Sequence, residues 1–393
     1  MNHPLTFTPA DEDLWDQYDR LATRSYGHRV TDITDLRPHA DLQVAVRDGN
    51  VVAGGLGLLI DHYFGGAPVP SAALGAGCVA PEERGEHLAA RMVEARLKPL
   101  REQGAVISTL STSSNHHARL LGWQAPVTVL AWTVTTEDLH RAFDERKHTA
   151  YDITCGLTPE ARQLQQHLAR QWNGPVHRPA WWDKWKTDKS DLTTYRFALP
   201  DQPITGYLSL ATKRRPHHGM TLTVHDFWAA DAPTTAAMYA FLGRHHTRAP
   251  DITFRRGALP PDTTLLHHLH RFRPTAQAWH PWMLRLLDLP GAIQRRGWPE
   301  DLDATVPIEI ESEDRLSHGR YLLRLTAGSA ELTTTHRAGD VALTRGQLAV
   351  WYAGGYRTTT AARAAGVRAT SPRALTTLIR ATTGQEPWLP DHF

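Results

Sequence analysis

Apolar positions along the chain alternate between a helical period and a strand period. Between Asp11 and Ala22 they recur at helical spacing (Leu14, Tyr18, Leu21), and Leu42 to Val46 then alternates with period two before Asp48-Gly49-Asn50 turns the chain into a returning strand over Val51 to Ile60. A strand over Leu74 to Val79 runs into the polar turn Pro81-Glu82-Glu83-Arg84-Gly85-Glu86. An amphipathic helix follows, with Leu88, Met92, Ala95 and Leu97 on one face. Strand Ala105 to Leu110, a short segment Asn115 to Leu121 and strand Val127 to Val134 complete a first α/β domain over 1–150.

From Tyr151 the pattern partly repeats. Helix Pro159 to Trp172, strands Tyr195 to Leu199, Gly206 to Leu210 and Thr221 to Phe227, helix Thr234 to His245 and strand Asp251 to Phe254 predict a second, degenerate copy over 151–281. A third α+β domain over 282–393 opens with Met283 to Pro290 and a helix through Arg296. Strands follow at Ala304 to Glu311, Gly319 to Thr326, Ser329 to Thr335 and Val341 to Thr344, then helices Arg345 to Ala353, Thr358 to Ala364 and Ser371 to Ala381.

A length of 393 residues fits this division, since one ordinary core rarely grows so large. The formal charge is only +2, from 43 basic against 41 acidic residues with no long run of either sign, so no electrostatic footprint for nucleic acid or anionic lipid is present. Small molecules and other subunits are the expected partners. No apolar stretch approaches the roughly 20 residues of a spanning helix, and Met1 to Leu5 lacks a basic segment leading into an apolar one, so a cytoplasmic protein is expected. Cys78 and Cys155 stand far apart and support neither a disulfide framework nor a cysteine metal site. The pairs His116-His117, His217-His218, His245-His246 and His267-His268, with His270, invite a metal reading. Adjacent histidines point apart, however, and no glutamate-flanked i, i+4 pair is present, so no metal is expected.

Four stretches carry a resemblance to a known family: Val79 to Gly85, Leu121-Gly122-Trp123 with the strand after it, Arg178-Pro179-Ala180-Trp181-Trp182, and Trp282 to Trp298, together with the terminal Phe393. On these the chain resembles the Eis (enhanced intracellular survival) family of N-acetyltransferases over essentially its full length. The resemblance implies a GNAT acetyltransferase domain, a second GNAT-like domain and a C-terminal sterol-carrier-like domain. It also implies acetyl-CoA or another acyl-CoA as donor, a bulky amine-bearing acceptor such as an aminoglycoside, and assembly as a homo-oligomer, a hexamer in the family. Within the family a tyrosine protonates the departing thiolate, the free C-terminal carboxylate helps to deprotonate the amine, and backbone N–H groups polarise the acyl carbonyl.

Carried onto this chain, the implied cofactor contacts are Gly77, Cys78 and Val79 on the strand and Arg84, Gly85, His87 and Leu88 in the loop. A helix N-terminus holds a pyrophosphate through its unsatisfied N–H groups, and small residues allow close approach. Here the loop reads Arg84-Gly85-Glu86-His87-Leu88-Ala89, so His87 stands where the family has a central glycine, and Glu82, Glu83 and Glu86 add negative charge beside an anion site. The position of the acid tyrosine is Ala118, leaving His116 or His117 as substitutes, or as a helix-start pair without chemistry.

The Phe393 carboxylate is the implied base, with Asp391 and His392 beside it. Tyr63, Phe64, Trp181, Trp182, Trp185, Phe227 and Trp228 are candidates to line an acceptor pocket, and Asp61, Asp183 and Asp226 to read its amines, against the commoner fates of core and solvated loop. The expected function is acyl transfer to an amine of a bulky natural product, in antibiotic resistance or biosynthesis. Two alternatives stay open: a CoA-independent enzyme of natural-product biosynthesis performing acid-base cyclisation or elimination on the same scaffold, and a non-catalytic metabolite-binding protein.

Overall fold

The computed structural model describes residues 4–85, 87–143, 150–215, 219–261, 263–271 and 273–392, without the side chains of 31–33 and 187–190. The chain divides into two compact units, one of residues 1–126, 282–386 and 392–393, the other of residues 127–281 and 387–391.

In the first unit a six-stranded sheet runs in the order Thr6–Pro9, Asp41–Arg47, Asn50–Phe64, Ala67–Val79, Ile107–Ser111, Trp282–Leu286. The hairpin turn at Asp48 and Gly49 has positive φ at both residues (52° and 74°), the conformation that joins strands of right-handed twist. Helix Glu12–Tyr26 starts on Asp11, whose carboxylate accepts from the Leu14 N–H, and ends on Gly27 in the left-handed region. Tyr18 of this helix would meet a Cβ on Gly54, while Arg96 and Leu100 of helix Leu88–Glu102 would meet Cβ atoms on Gly55 and Gly57. Successive residues of a strand face opposite sides, so the two helices cover opposite faces of the sheet.

The same unit holds a five-stranded sheet in the order Ser329–Thr334, His318–Thr326, Ala304–Glu311, Val341–Leu343, Arg368–Ala369. Val306, Ile308 and Ile310 are buried in alternation along its central strand, and helix Pro372–Arg380 buries Ala374, Leu375, Leu378 and Ile379.

The second unit is built on a seven-stranded sheet in the order Thr275–Ala278, Leu130–Thr135, Asp251–Phe254, Met220–Ala229, Ile204–Arg214, Leu192–Ala198, Asp152–Cys155. The strand expected over Val127 to Val134 at the end of the first domain thus belongs to the second sheet, antiparallel to Asp251–Phe254. In its place, Trp282–Leu286 closes the first sheet against Ile107–Ser111, although its pattern reads as the opening of the third domain. Alternation identifies a strand but carries no information about its partner.

Candidate functional site

The first sheet opens where two of its strands part. Ala67–Val79 and Ile107–Ser111 pair in parallel from Ser71 opposite Ile107 to Leu74 opposite Leu110. Beyond Leu74 the register against Asn50–Phe64 shifts, and Ala76 is held at φ 47°. A non-glycine residue there costs about 1–2 kcal/mol, so the distortion needs support from its surroundings.

That support comes from three side chains. The Tyr18 hydroxyl donates to the carbonyl of Ala76, the Tyr26 hydroxyl to that of Gly77 at 2.7 Å, and Arg96 Nη2 to that of Gly75 at 2.6 Å. Because these peptide bonds are trans, the N–H groups of Gly77 and Cys78 point away from the tyrosine hydroxyls. Burial raises the Tyr18 hydroxyl, pushes Tyr26 up to about 12 and pushes the Cys78 thiol up to about 11, so all are neutral at pH 7.

The parted strands enclose a cavity of about 530 Å³. Its wall is formed by Gly75 to Val79 on one strand and Leu110 to Thr112 on the other. Ala89, Met92, Val93 and Arg96 contribute from one helix and His117, Ala118 and Leu121 from the short helix Asn115–Leu120 and its end, with Tyr26, Arg84 and Trp123 completing it. No aspartate or glutamate is among the described residues of this wall.

Helix Leu88–Glu102 begins after His87, which sits at φ 56°, ψ 16° and makes no side-chain cap. The position aligned with a glycine therefore keeps a glycine-like backbone, and the His87 side chain is exposed, outside the cavity wall. His87 supplies no capping side chain; its carbonyl accepts from the Ala90 and Arg91 N–H groups, which leaves the N–H groups of Leu88 and Ala89 for an anion. Glu82 is paired with Arg24 and Glu83 with Arg47, each at 2.8 Å, so the charges expected to oppose an anion are matched; Glu86 lies outside the described residues. An uncapped helix start, with Arg84 beside it, opening onto a strand-lined cavity fits the pyrophosphate and pantetheine arm of a CoA thioester.

Of the residues singled out from sequence, Gly77, Cys78, Val79, Arg84 and His117 line the cavity. Gly85 (φ 103°) and the buried Leu88 flank the helix start. His116 lies on the same short helix but outside the wall, and Ala118, buried, presents only a methyl group to it. Phe393 lies outside the described residues. Asp391, expected beside it, is fully buried in the second unit, where it accepts from the Val176 N–H at 3.0 Å and pairs with Arg178 and Lys186.

The candidate acceptor-pocket residues are largely core. Tyr63 and Phe64 are fully buried in the first unit, Phe64 packing on Trp282 and Tyr352, while Asp61 is half-buried on the same strand. In the second unit Trp181, Trp182 and Trp185 pack on one another, Phe227 stacks on Tyr239, and Trp228 lies against Trp388. There Asp226 is ion-paired with Arg178, and Asp183 with Arg162 at 2.7 Å. Burial acts to raise the Asp226 carboxyl, but Arg178 outweighs it and holds the group far below the usual carboxylate range.

Tyr26 and Arg96 were not singled out from sequence. Arg96 had a signal: Leu88, Met92, Arg96 and Leu100 form a four-residue repeat on one buried helix stripe, with a lone charge inside it. Tyr26, the last residue of its helix, had none.

Comparison with known proteins finds three domains along the chain. Residues 6–125 match an acetyltransferase (GNAT) domain, residues 174–286 a second one, and residues 289–390 a sterol carrier protein domain. A curated relative from Streptomyces griseus, described as an uncharacterized N-acetyltransferase, is 25% identical over 358 residues, 84% of this chain and 83% of that protein. Among solved structures, a GCN5-related N-acetyltransferase from Anabaena variabilis aligns with a TM-score of 0.87 at 21% identity, covering 99% of this chain and 100% of that one. A GCN5-related N-acetyltransferase from Kribbella flavida aligns at 0.82 and 23% identity over 100% and 99%. Eis1 from Mycobacterium abscessus aligns at 0.76 and 18% identity over 99% and 100%.

Proposed function

We propose that this chain, an acetyltransferase of the GNAT class with the Eis order of two GNAT domains and a sterol carrier protein domain, moves an acyl group from acyl-CoA to an amine nitrogen at the cavity of its first sheet. The observation that carries the reading is the joining of an uncapped helix N-terminus to a cavity between parted strands, with Arg84 in its wall.

A bound acyl thioester supplies an activated carbonyl carbon and a thiolate that leaves once a carbon–nitrogen bond forms. The first turn of Leu88–Glu102 and Arg84 would hold the phosphates. The Gly77 and Cys78 N–H groups, fixed in direction by the tyrosines, would polarise the carbonyl. His117 is the imidazole of the wall; its ring nitrogens can take the proton an amine loses and return one to sulfur. Neutral Cys78 makes a poor nucleophile, which favours direct transfer over a cysteine-bound intermediate. We take the acceptor to be an amine on a bulky natural product and the working form to be a homo-oligomer, in line with the resemblance to Eis proteins.

Titration calorimetry with acetyl-CoA tests the donor. Binding in the micromolar range is expected, weakened about tenfold or more by Arg84→Glu. No heat at millimolar acetyl-CoA refutes the proposal. His117→Ala should keep that binding and lower turnover with a supplied amine by roughly 10²- to 10⁴-fold.

A further inference from the structure

Arg96 is the buried cation of the cavity wall, 5% exposed. Its Nη2 donates to the carbonyls of Leu56 and Gly75, but its Nε, also buried, has no hydrogen-bond partner among the described residues. Glycines make room for it: a Cβ on Gly55 would fall 2.5 Å from its Cζ, and one on Gly77 2.7 Å from its Nη1. Neither glycine has positive φ, so the guanidinium rather than the backbone conformation requires them.

A buried charge is ordinarily matched by an opposite one. The groups whose fields reach Arg96 are Tyr18, Tyr26 and Cys78, all neutral at pH 7, and the wall holds no described carboxylate. Of the other buried arginines, Arg178 and Arg285 are matched by carboxylates, Arg285 by Glu94 at 3.0 Å, while Arg296 is held by carbonyls and a ring. Arg178 binds the carboxylates of Asp226 and Asp391. Arg296 donates from Nε to the Tyr352 carbonyl and from Nη1 to the Gly297 carbonyl while lying over the Trp298 ring. Arg96 also stands nine residues past His87 on the face that lines the cavity, roughly 14 Å along the helix from its uncapped start. That places it toward the far end of the cavity from the phosphate site.

We infer that Arg96 receives a carboxylate of the substrate, so that the cavity selects a reactant bearing a negative charge near the reacting end. The carboxylate has two possible sources: the acyl group of a dicarboxylic acyl-CoA, or an amine acceptor that is itself a carboxylic acid. The donor source rests on the acyl-CoA reading above; the acceptor source does not.

Calorimetry on the full chain separates them. Acetyl-CoA is compared with succinyl-CoA, and L-phenylalanine with L-phenylalaninamide, each amine added with and without CoA. A preference of about tenfold or more for succinyl-CoA, lost in Arg96→Gln, establishes the donor source. The same preference for phenylalanine over its amide, lost in the same variant, establishes the acceptor source. Less than about twofold discrimination in both wild-type comparisons overturns the inference, whatever the variants do. Arg96→Lys, keeping the charge, should retain part of the preference, and wild-type-like near-ultraviolet circular dichroism of either variant separates lost recognition from lost folding. Acetyl-CoA that binds without any carboxylate preference overturns this inference alone. If neither thioester binds, the acyl-CoA reading fails, and the amine pair measured without CoA still decides the role of Arg96.

Discussion

His87 shows how one residue can depart from a motif and still keep its geometry. It holds φ 56°, a conformation that costs a side-chain-bearing residue about 1–2 kcal/mol, and no cap compensates. His87→Gly should therefore raise stability by about 1 kcal/mol or slightly less, after the entropy that glycine adds to the unfolded chain, seen as a higher urea midpoint at unchanged slope. A lower midpoint would mean that the imidazole contributes contacts worth more than the backbone conformation costs. The position was legible in the sequence because the loop has a fixed spacing, and so was the alanine at 118. The effect of the glutamates was not. Glu82 and Glu83 read as a repulsive field, but each finds an arginine 58 or 36 residues away in the chain, Arg24 and Arg47, which local spacing cannot show. Arg96 escaped because the face read for burial, Leu88, Met92, Ala95 and Leu97, rests on apolar residues alone; Leu97 is fully buried, and the guanidinium at the preceding position is buried beside it.

At the scale of elements, the C-terminal segment is fixed by an indole contact and a charge cluster. Trp388 donates its indole N–H to the Gly257 carbonyl at 2.7 Å and lies between Trp172 and Trp228, and Asp391 is locked to Arg178 and Lys186. Burial acts to raise the Asp391 carboxyl, but the two cations outweigh it and hold it below the ordinary carboxylate range. The unfolded chain therefore binds this proton at a higher pH than the folded one. The stabilisation is complete above the unfolded value, near 4, and is lost as pH falls through the lowered folded value. Asp391→Asn should cost about 2 kcal/mol at pH 7, with the gap to wild type narrowing below about pH 4. Urea titrations at pH 7 and pH 3 check this, and a gap that widens in acid would contradict it. From sequence, Asp391 is expected beside the Phe393 carboxylate. The anchor itself joins residues more than 200 positions apart, Arg178 and Asp391, and is visible only in the fold.

The largest departure from the sequence pattern concerns the whole molecule: strands Leu130–Thr135 and Trp282–Leu286 read as neighbours of the wrong domains. Residues 127–281 are an insertion into the first unit, and its ends are held together. Gln124 and Leu284 exchange hydrogen bonds, N–H of Gln124 to the Leu284 carbonyl at 3.0 Å and N–H of Leu284 to the Gln124 carbonyl at 2.9 Å. Pro126 and Trp282 are thus close enough for a short linker. A fragment of residues 1–150, cut where the hydrophobic pattern suggests, leaves the edge of Ile107–Ser111 unpaired and lacks Trp282, Met283 and Leu284, all fully buried. Each such side chain is worth about 1.5–3 kcal/mol of burial, comparable in sum to the stability of a whole domain, and the bare edge invites association. Residues 1–126 joined through about four glycines to 282–386 should therefore unfold cooperatively and bind acetyl-CoA, whereas 1–150 should aggregate or show no transition. Far-ultraviolet circular dichroism through a urea titration, with size-exclusion chromatography, separates the two outcomes. Cooperative unfolding of 1–150 would show that the first sheet does not need the strand that returns to it 156 residues after Pro126.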